Sequence, residues 1–204
     1  MLIKVCGLKL QKDIKVCAEI GADFLGFIFH PKSARYVDPK TVSSLPKTRA
    51  KRVGVFVNQE IDEITAIMHK ADLDLAQLHG DYSPEDCESL GEDRIIKVFW
   101  PDGHTNKVSF ERELDRYSEH CRYFLFDAGS KGGGHGTSIQ SEFFQEVSID
   151  RPWFLAGGLS PENLKNLLQQ FAPHGIDLNS GVEKSPADKD EVSLREIKSK
   201  LLSC

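Results

Sequence analysis

Short apolar runs rich in β-branched and aromatic residues alternate along the chain with longer stretches whose apolar positions recur every three to four residues. The short runs predict strands at 2–6, 24–29, 52–57, 75–78, 94–99, 123–126, 153–156 and 175–178. The second of them is almost continuously apolar, as expected of a strand covered on both faces. The longer stretches predict helices at 11–20, 39–45, 60–69, 110–118, 141–147 and 191–202. Two further helices open on Ser83-Pro84-Glu85-Asp86 and Ser160-Pro161-Glu162-Asn163, where serine caps and proline fits the first turn. Gly21 is a helix stop, and 102–107 reads as a loop. Eight strand–helix units in strict alternation require parallel strands joined by right-handed crossovers. They fit a closed (β/α)8 barrel, with an open doubly wound sheet as the alternative. No linker or low-complexity segment interrupts the pattern, so residues 1–204 read as one domain.

Composition narrows the possibilities. The chain has 204 residues, 40% hydrophobic and 28% charged, which is ordinary for a globular protein. A formal charge of −5 argues against general nucleic-acid binding and against an anionic membrane surface. No apolar run approaches the roughly 18 residues of a membrane helix. The N-terminus enters a strand-like pattern with no apolar leader, so no secretory signal is expected. Cys6, Cys17, Cys87, Cys121 and Cys204 are odd in number, widely spaced and without a C-x-x-C pair. A disulfide framework and a structural zinc site are therefore not expected, and a reduced, cytoplasmic setting is. Most of these thiols should be inert and buried.

A parallel α/β fold gathers its chemistry at the carboxyl ends of its strands. Gly157-Gly158, before a helix start, and Ser180-Gly181, in the next such loop, can converge backbone N–H groups on a phosphate, unless the glycines only serve tight turns. Gly132-Gly133-Gly134-His135-Gly136 fits no nucleotide fingerprint and reads as a mobile loop beside a ligand. Cys6 ends the first strand with Lys4 two residues back on the same face. That ammonium can lower the pKa of a partly exposed thiol; an inert core cysteine is the alternative. Asp127 follows an apolar run that raises a carboxyl pKa and suits proton donation, unless it merely caps a helix. Arg35 either clamps a carboxylate or phosphate or is a surface residue. His79 is either a site residue or a satisfied strand-end histidine. The histidines show no metal-ligand spacing, so no metal is expected.

Several motifs occur together and in order: Lys4-Val5-Cys6-Gly7-Leu8, Ser33-Ala34-Arg35-Tyr36-Val37, Val53-Gly54-Val55-Phe56 and Gln77-Leu78-His79-Gly80. Asp127 with its glycine loop, Leu155-Ala156-Gly157-Gly158-Leu159 and Ile176-Asp177-Leu178-Asn179-Ser180-Gly181-Val182-Glu183 complete the set. Together they resemble the phosphoribosylanthranilate isomerase family over nearly the whole chain. The resemblance implies a single (β/α)8 TIM barrel and a cofactor-free Amadori rearrangement in L-tryptophan biosynthesis. It implies Asp127 as general acid and Cys6 as general base. It also implies Arg35 on the anthranilate carboxylate, Asp177 on a sugar hydroxyl, and the phosphate held by Gly157, Gly158, Ser180 and Gly181. His79 is grouped with the substrate-binding residues, and the chain is expected to be a monomer or homodimer. The sequence departs from the family pattern at Ala34, Ala187, His135 and Ile139-Gln140-Ser141, which bears on loops and affinity rather than on reaction type. The rivals are a barrel that binds a phosphorylated ligand without turnover and an isomerase of a histidine-pathway aminoaldose. The pairing of Cys6 with Asp127 disfavours both.

Overall fold

Eight parallel strands close into a barrel in sequence order: β1 (Leu2–Val5), β2 (Phe24–Ile28), β3 (Lys51–Phe56), β4 (Leu75–Leu78), β5 (Ile95–Phe99), β6 (Tyr123–Asp127), β7 (Trp153–Ala156) and β8 (Gly175–Leu178). The computed structural model describes residues 1–128, 139 and 142–202. Gly132–Gly136, Gln140, Ser141 and Cys204 lie outside these. The open doubly wound alternative is excluded by the direct pairing of β1 with β8, in register from Leu2↔Gly175 to Val5↔Leu178.

Closure explains the apolar runs. Alternate residues point into the barrel, where Phe24, Val53, Leu75, Ile96, Val98, Leu125, Phe154 and Ala156 form an inner cluster. The intervening residues point outward and join the helices in the larger core. Edge-to-face contact of Phe24 with Phe154, 5.4 Å between centroids, fills the inner cluster. Toward the carboxyl ends the inward positions become polar, and Lys4, Gln77, Asp127 and Asp177 are buried there.

The helices are α1 (Gln11–Glu19), α2 (Pro39–Ser44), α3 (Ile61–Ala71), α4 (Pro84–Leu90), α5 (Lys107–Tyr117), α6 (Leu164–Phe171) and α7 (Glu191–Leu202). Ser83 and Asp86 form a reciprocal capping box at α4, as their spacing predicts. Helix α5 begins at Lys107, ahead of the predicted 110, because Asn106 caps it through Ser109 N. The helix expected at 141–147 is instead a 3-10 turn, Glu142–Glu146. One aromatic anchor covers the sheet there: the Phe144 ring packs on Phe126 and Trp153. Ser160-Pro161-Glu162-Asn163 does not repeat the cap of Ser83. The Ser160 hydroxyl bonds Glu162, while Asn163 accepts from Ser160 N and donates to the Gly158 carbonyl. Those side chains tie down the glycine loop, and α6 starts only at Leu164. Among the described residues no helix is long and apolar enough to cross a membrane.

After β8 comes a feature that periodicity did not reveal, an antiparallel hairpin of β9 (Glu183–Ser185) and β10 (Asp188–Lys189). Its turn holds Ala187 at φ +66°, a left-handed conformation in which a Cβ costs roughly 1–2 kcal/mol. The resemblance expects a glycine near this point. Ala187→Gly should therefore raise the melting temperature by about 2–4 °C for a gain of about 1 kcal/mol. Thermal unfolding followed by circular dichroism checks this, and an unchanged or lower midpoint would show that the turn is unstrained.

Candidate active site

A cavity of about 170 Å³ opens at the carboxyl ends of the strands. Of the nine site residues singled out in the sequence, Cys6, Arg35, His79, Asp127, Gly157, Gly158, Asp177 and Ser180 line it. Gly181 stands one residue further, inside the 3-10 turn Ser180–Val182. Side chains two apart on a strand share a face. That puts Lys4 below Cys6 on β1 and Gln77 below His79 on β4.

Glycines shape the surroundings of Cys6. A Cβ on Gly26 would lie 2.8 Å from Cys6 Sγ and 3.0 Å from its Cα, so the neighbouring strand makes room for the thiol only as glycine. Gly7, at φ +73°, lets the end of β1 approach Arg35 and Asn179; its Cβ would meet Arg35 Cδ at 2.7 Å. The thiol is 4% exposed, not partly exposed as the sequence suggested. Nor is its pKa lowered. Burial pushes it up, the Asp177 charge adds to this, and the cations Lys4 and Lys189 pull down without prevailing. The reason is visible in Lys4: fully buried, it donates to both Asp177 oxygens at 2.9 Å. Asp177, expected to be a ligand for a sugar hydroxyl, is thus engaged in an internal ion pair. Burial pushes its carboxyl up against the pull of Lys4.

Arg35 is not a free surface group. Its Nε donates to both Glu183 oxygens at 3.0 Å and its Nη2 to Oε2 at 2.6 Å. Glu183 also accepts from buried Lys189 at 2.7 Å, and Lys189 bonds Asn179 Oδ1 at 3.0 Å. Burial favours the protonated Glu183 carboxyl, yet Arg35 and Lys189 hold it below the usual carboxylate range. Glu183 thus stands between two cationic side chains, against the burial that lowers the Lys189 pKa. Ala34 does not loosen this loop: Ser33 Oγ accepts from Arg35 N at 3.1 Å, and the Ser33 carbonyl from Tyr36 N at 3.0 Å.

Across the cavity Asp127 ends β6 at 8% exposure. His79 Nε2 stands 3.9 Å from Asp127 Oδ2, and its ring meets Trp100 edge-on at 5.2 Å. Burial lowers the His79 pKa to about 4, so near neutral pH the imidazole is uncharged.

The corner between β7 and β8 is made of backbone. Gly157 (φ +103°) has no room for a Cβ, which would lie 2.7 Å from that of Ala128. A Cβ on Gly181 would lie 2.1 Å from the Leu159 carbonyl oxygen. The two glycine loops therefore pack main chain to main chain, as a cradle for an anion demands. Sequence reasoning missed Lys4 as Asp177's partner and Glu183 and Lys189 as the frame of Arg35; it put Gln77 and Asn179 at this rim, where they line the cavity, but gave them no role. For Gln77 the available signal was its position two residues before His79. Among the described residues no three His, Cys, Asp or Glu side chains are grouped to hold a metal ion.

A family model described as N-(5'-phosphoribosyl)anthranilate (PRA) isomerase matches residues 3–200. An N-(5'-phosphoribosyl)anthranilate isomerase of Maridesulfovibrio salexigens is 47% identical over 194 residues, covering 95% of each chain. The crystal structure of phosphoribosyl anthranilate isomerase from Thermus thermophilus matches with a TM-score of 0.87 at 31% identity, covering 100% of this chain and 99% of the other. A phosphoribosyl anthranilate isomerase in complex with reduced 1-(o-carboxyphenylamino)-1-deoxyribulose 5-phosphate matches with a TM-score of 0.80 at 32% identity, covering both chains fully.

Proposed function

Because the chain belongs to the N-(5'-phosphoribosyl)anthranilate isomerase family, we propose that its cavity works with Cys6 as base and Asp127 as acid. The enzyme is an intramolecular oxidoreductase of tryptophan biosynthesis. It converts the aminoaldose N-(5'-phosphoribosyl)anthranilate into the aminoketose 1-(2-carboxyphenylamino)-1-deoxyribulose 5-phosphate. Asp127 gives its proton to the ribose ring oxygen as the C1'–O bond breaks, leaving a Schiff base between C1' and the anthranilate nitrogen. Cys6, as thiolate, removes the C2' proton, and the C=N electron pair withdraws onto nitrogen to give the enolamine. The enol proton then leaves oxygen and a proton returns to C1', so the product is an isomer of the substrate.

The observation that carries this reading is that Cys6 and Asp127 line one cavity, on strands separated by the glycine-built corner of β7 and β8. A phosphate in that corner would lay the sugar between the two groups. Burial keeps the Cys6 thiol protonated in the ligand-free protein. The cation of a bound Schiff base joins Lys4 and Lys189 in favouring the thiolate, so the base is strongest when it is needed. Arg35 has Nη1 left to meet the substrate carboxylate, because Nε and Nη2 are taken by Glu183. Each Asp177 oxygen keeps a lone pair beyond its bond to Lys4, enough to accept from a sugar hydroxyl.

Inorganic phosphate should therefore inhibit competitively against N-(5'-phosphoribosyl)anthranilate, measured by the loss of substrate fluorescence. In a phosphate-soaked crystal the anion should sit on the backbone of Gly157, Gly158 and Gly181. Uncompetitive inhibition, or an anion bound elsewhere with this corner empty, would reassign the phosphate site.

A further inference from the structure

The floor of the cavity holds a polar group for which the proton transfers have no use. Gln77 on β4 is 3% exposed and faces the cavity. Its partners in register on the adjoining strands are apolar, Val55 on β3 and Ile96 on β5, and Leu125 lines the same floor. Among the described residues its buried Oε1 has no hydrogen-bond partner. Turning the amide over only exchanges a lone acceptor for a lone donor at the same buried position. Such an atom weakens the fold, and a leucine would fill the space without that penalty. A residue kept at a cost to folding is one whose partner arrives with the ligand.

We propose that Gln77 contacts the substrate, its amide oxygen accepting a hydrogen bond from a donor in the middle of the molecule. The inference rests on the reading that this cavity takes the phosphoribosyl substrate. The two ends of that substrate, phosphate and carboxylate, only accept hydrogen bonds and have their cations and N–H groups at the corner and at Arg35. Donors lie between them, in the ribosyl hydroxyls and the amine N–H. Gln77 lines the same cavity as Cys6 and Asp127, between which that middle reacts. The two donors differ in one respect. The N–H gains positive charge as the Schiff base forms, so its bond tightens toward the transition state, whereas a hydroxyl is held equally before and during reaction.

Gln77→Leu and Gln77→Met test this, with turnover counted per folded molecule and thermal midpoints measured alongside. The expected result is a fold at least as stable as wild type with kcat/KM reduced about tenfold or more. Calorimetry should show weaker binding of the reduced aminoketose phosphate in both variants. A loss carried by kcat assigns the amine N–H, and a loss carried by KM assigns a hydroxyl. A kcat/KM less than about tenfold below wild type in both variants overturns the proposal. So does failure of both to fold, which would make Gln77 a structural residue. Cys6→Ala separates this from the reading beneath it. If only the inference about Gln77 is wrong, Cys6→Ala loses turnover while the Gln77 variants keep it; if the cavity is not the substrate site, all three keep it.

Discussion

Cys6→Ala and Asp127→Asn should each lose at least about a hundredfold in kcat, because a positioned acid or base contributes roughly 10²–10⁴-fold. Neither change should disturb the fold much. Alanine at position 6 removes only the sulfur that Gly26 accommodates, and asparagine keeps the shape of the β6 terminus. Cys6→Ser should fail as completely as Cys6→Ala, since a hydroxyl is too weak an acid to supply an anion where even the thiol is pushed up by burial. The other described cysteines are controls. Burial holds Cys17 at about 12, Cys87 at about 11 and Cys121 at about 12, and none of them lines the cavity. Their alanine variants should turn over normally. The kcat/KM profile of the wild type should be bell-shaped, with limbs that belong to the acid–base pair jointly, and either substitution should abolish one limb. Wild-type turnover in Cys6→Ala would end the mechanism.

What was legible in the sequence was whatever depends on near neighbours. The run from Phe24 to Phe29 announced a strand covered on both faces, and closure of the barrel covers Phe24–Ile28 so. The positions of Cys6, Asp127 and the glycine pairs at strand ends pointed to the rim where the cavity lies, because parallel topology gathers those ends on one side. What stayed hidden depends on partners far along the chain. Arg35 and Glu183 are 148 residues apart, and Lys4 and Asp177 are 173 apart. Lys4 beside Cys6 suggested a lowered thiol pKa, but the sign of that shift is decided by burial and by an aspartate seven strands on. The hairpin of β9 and β10 was invisible because strands of three and two residues show no periodicity. Ser83 and Ser160 begin near-identical motifs with different outcomes, since Asn163 is drawn to the Gly158 carbonyl while Asp86 has only its own helix to cap.

The largest loss of stability should follow from separating Lys4 and Asp177. Lys4 is fully buried and the Asp177 side chain is 7% exposed. Breaking a buried pair by removing one member costs about 3–5 kcal/mol, because the remaining charge has no water to return to. Asp177→Leu leaves the Lys4 ammonium in that position, with Cys6 as its neighbour. Its midpoint should fall by roughly 6–20 °C at about 2–4 °C per kcal/mol. Lys4→Met strands the carboxylate instead and should cost a similar amount. The double variant Lys4→Met/Asp177→Leu removes both charges and fills the space, so it should recover most of the stability that either single change loses. It should not recover turnover, because it lacks both a cation beneath Cys6 and the carboxylate proposed for a sugar hydroxyl. Thermal melts of the four proteins give the coupling directly. Additive losses would mean that the two side chains do not depend on each other, and a fully active double variant would reduce the pair to a structural brace.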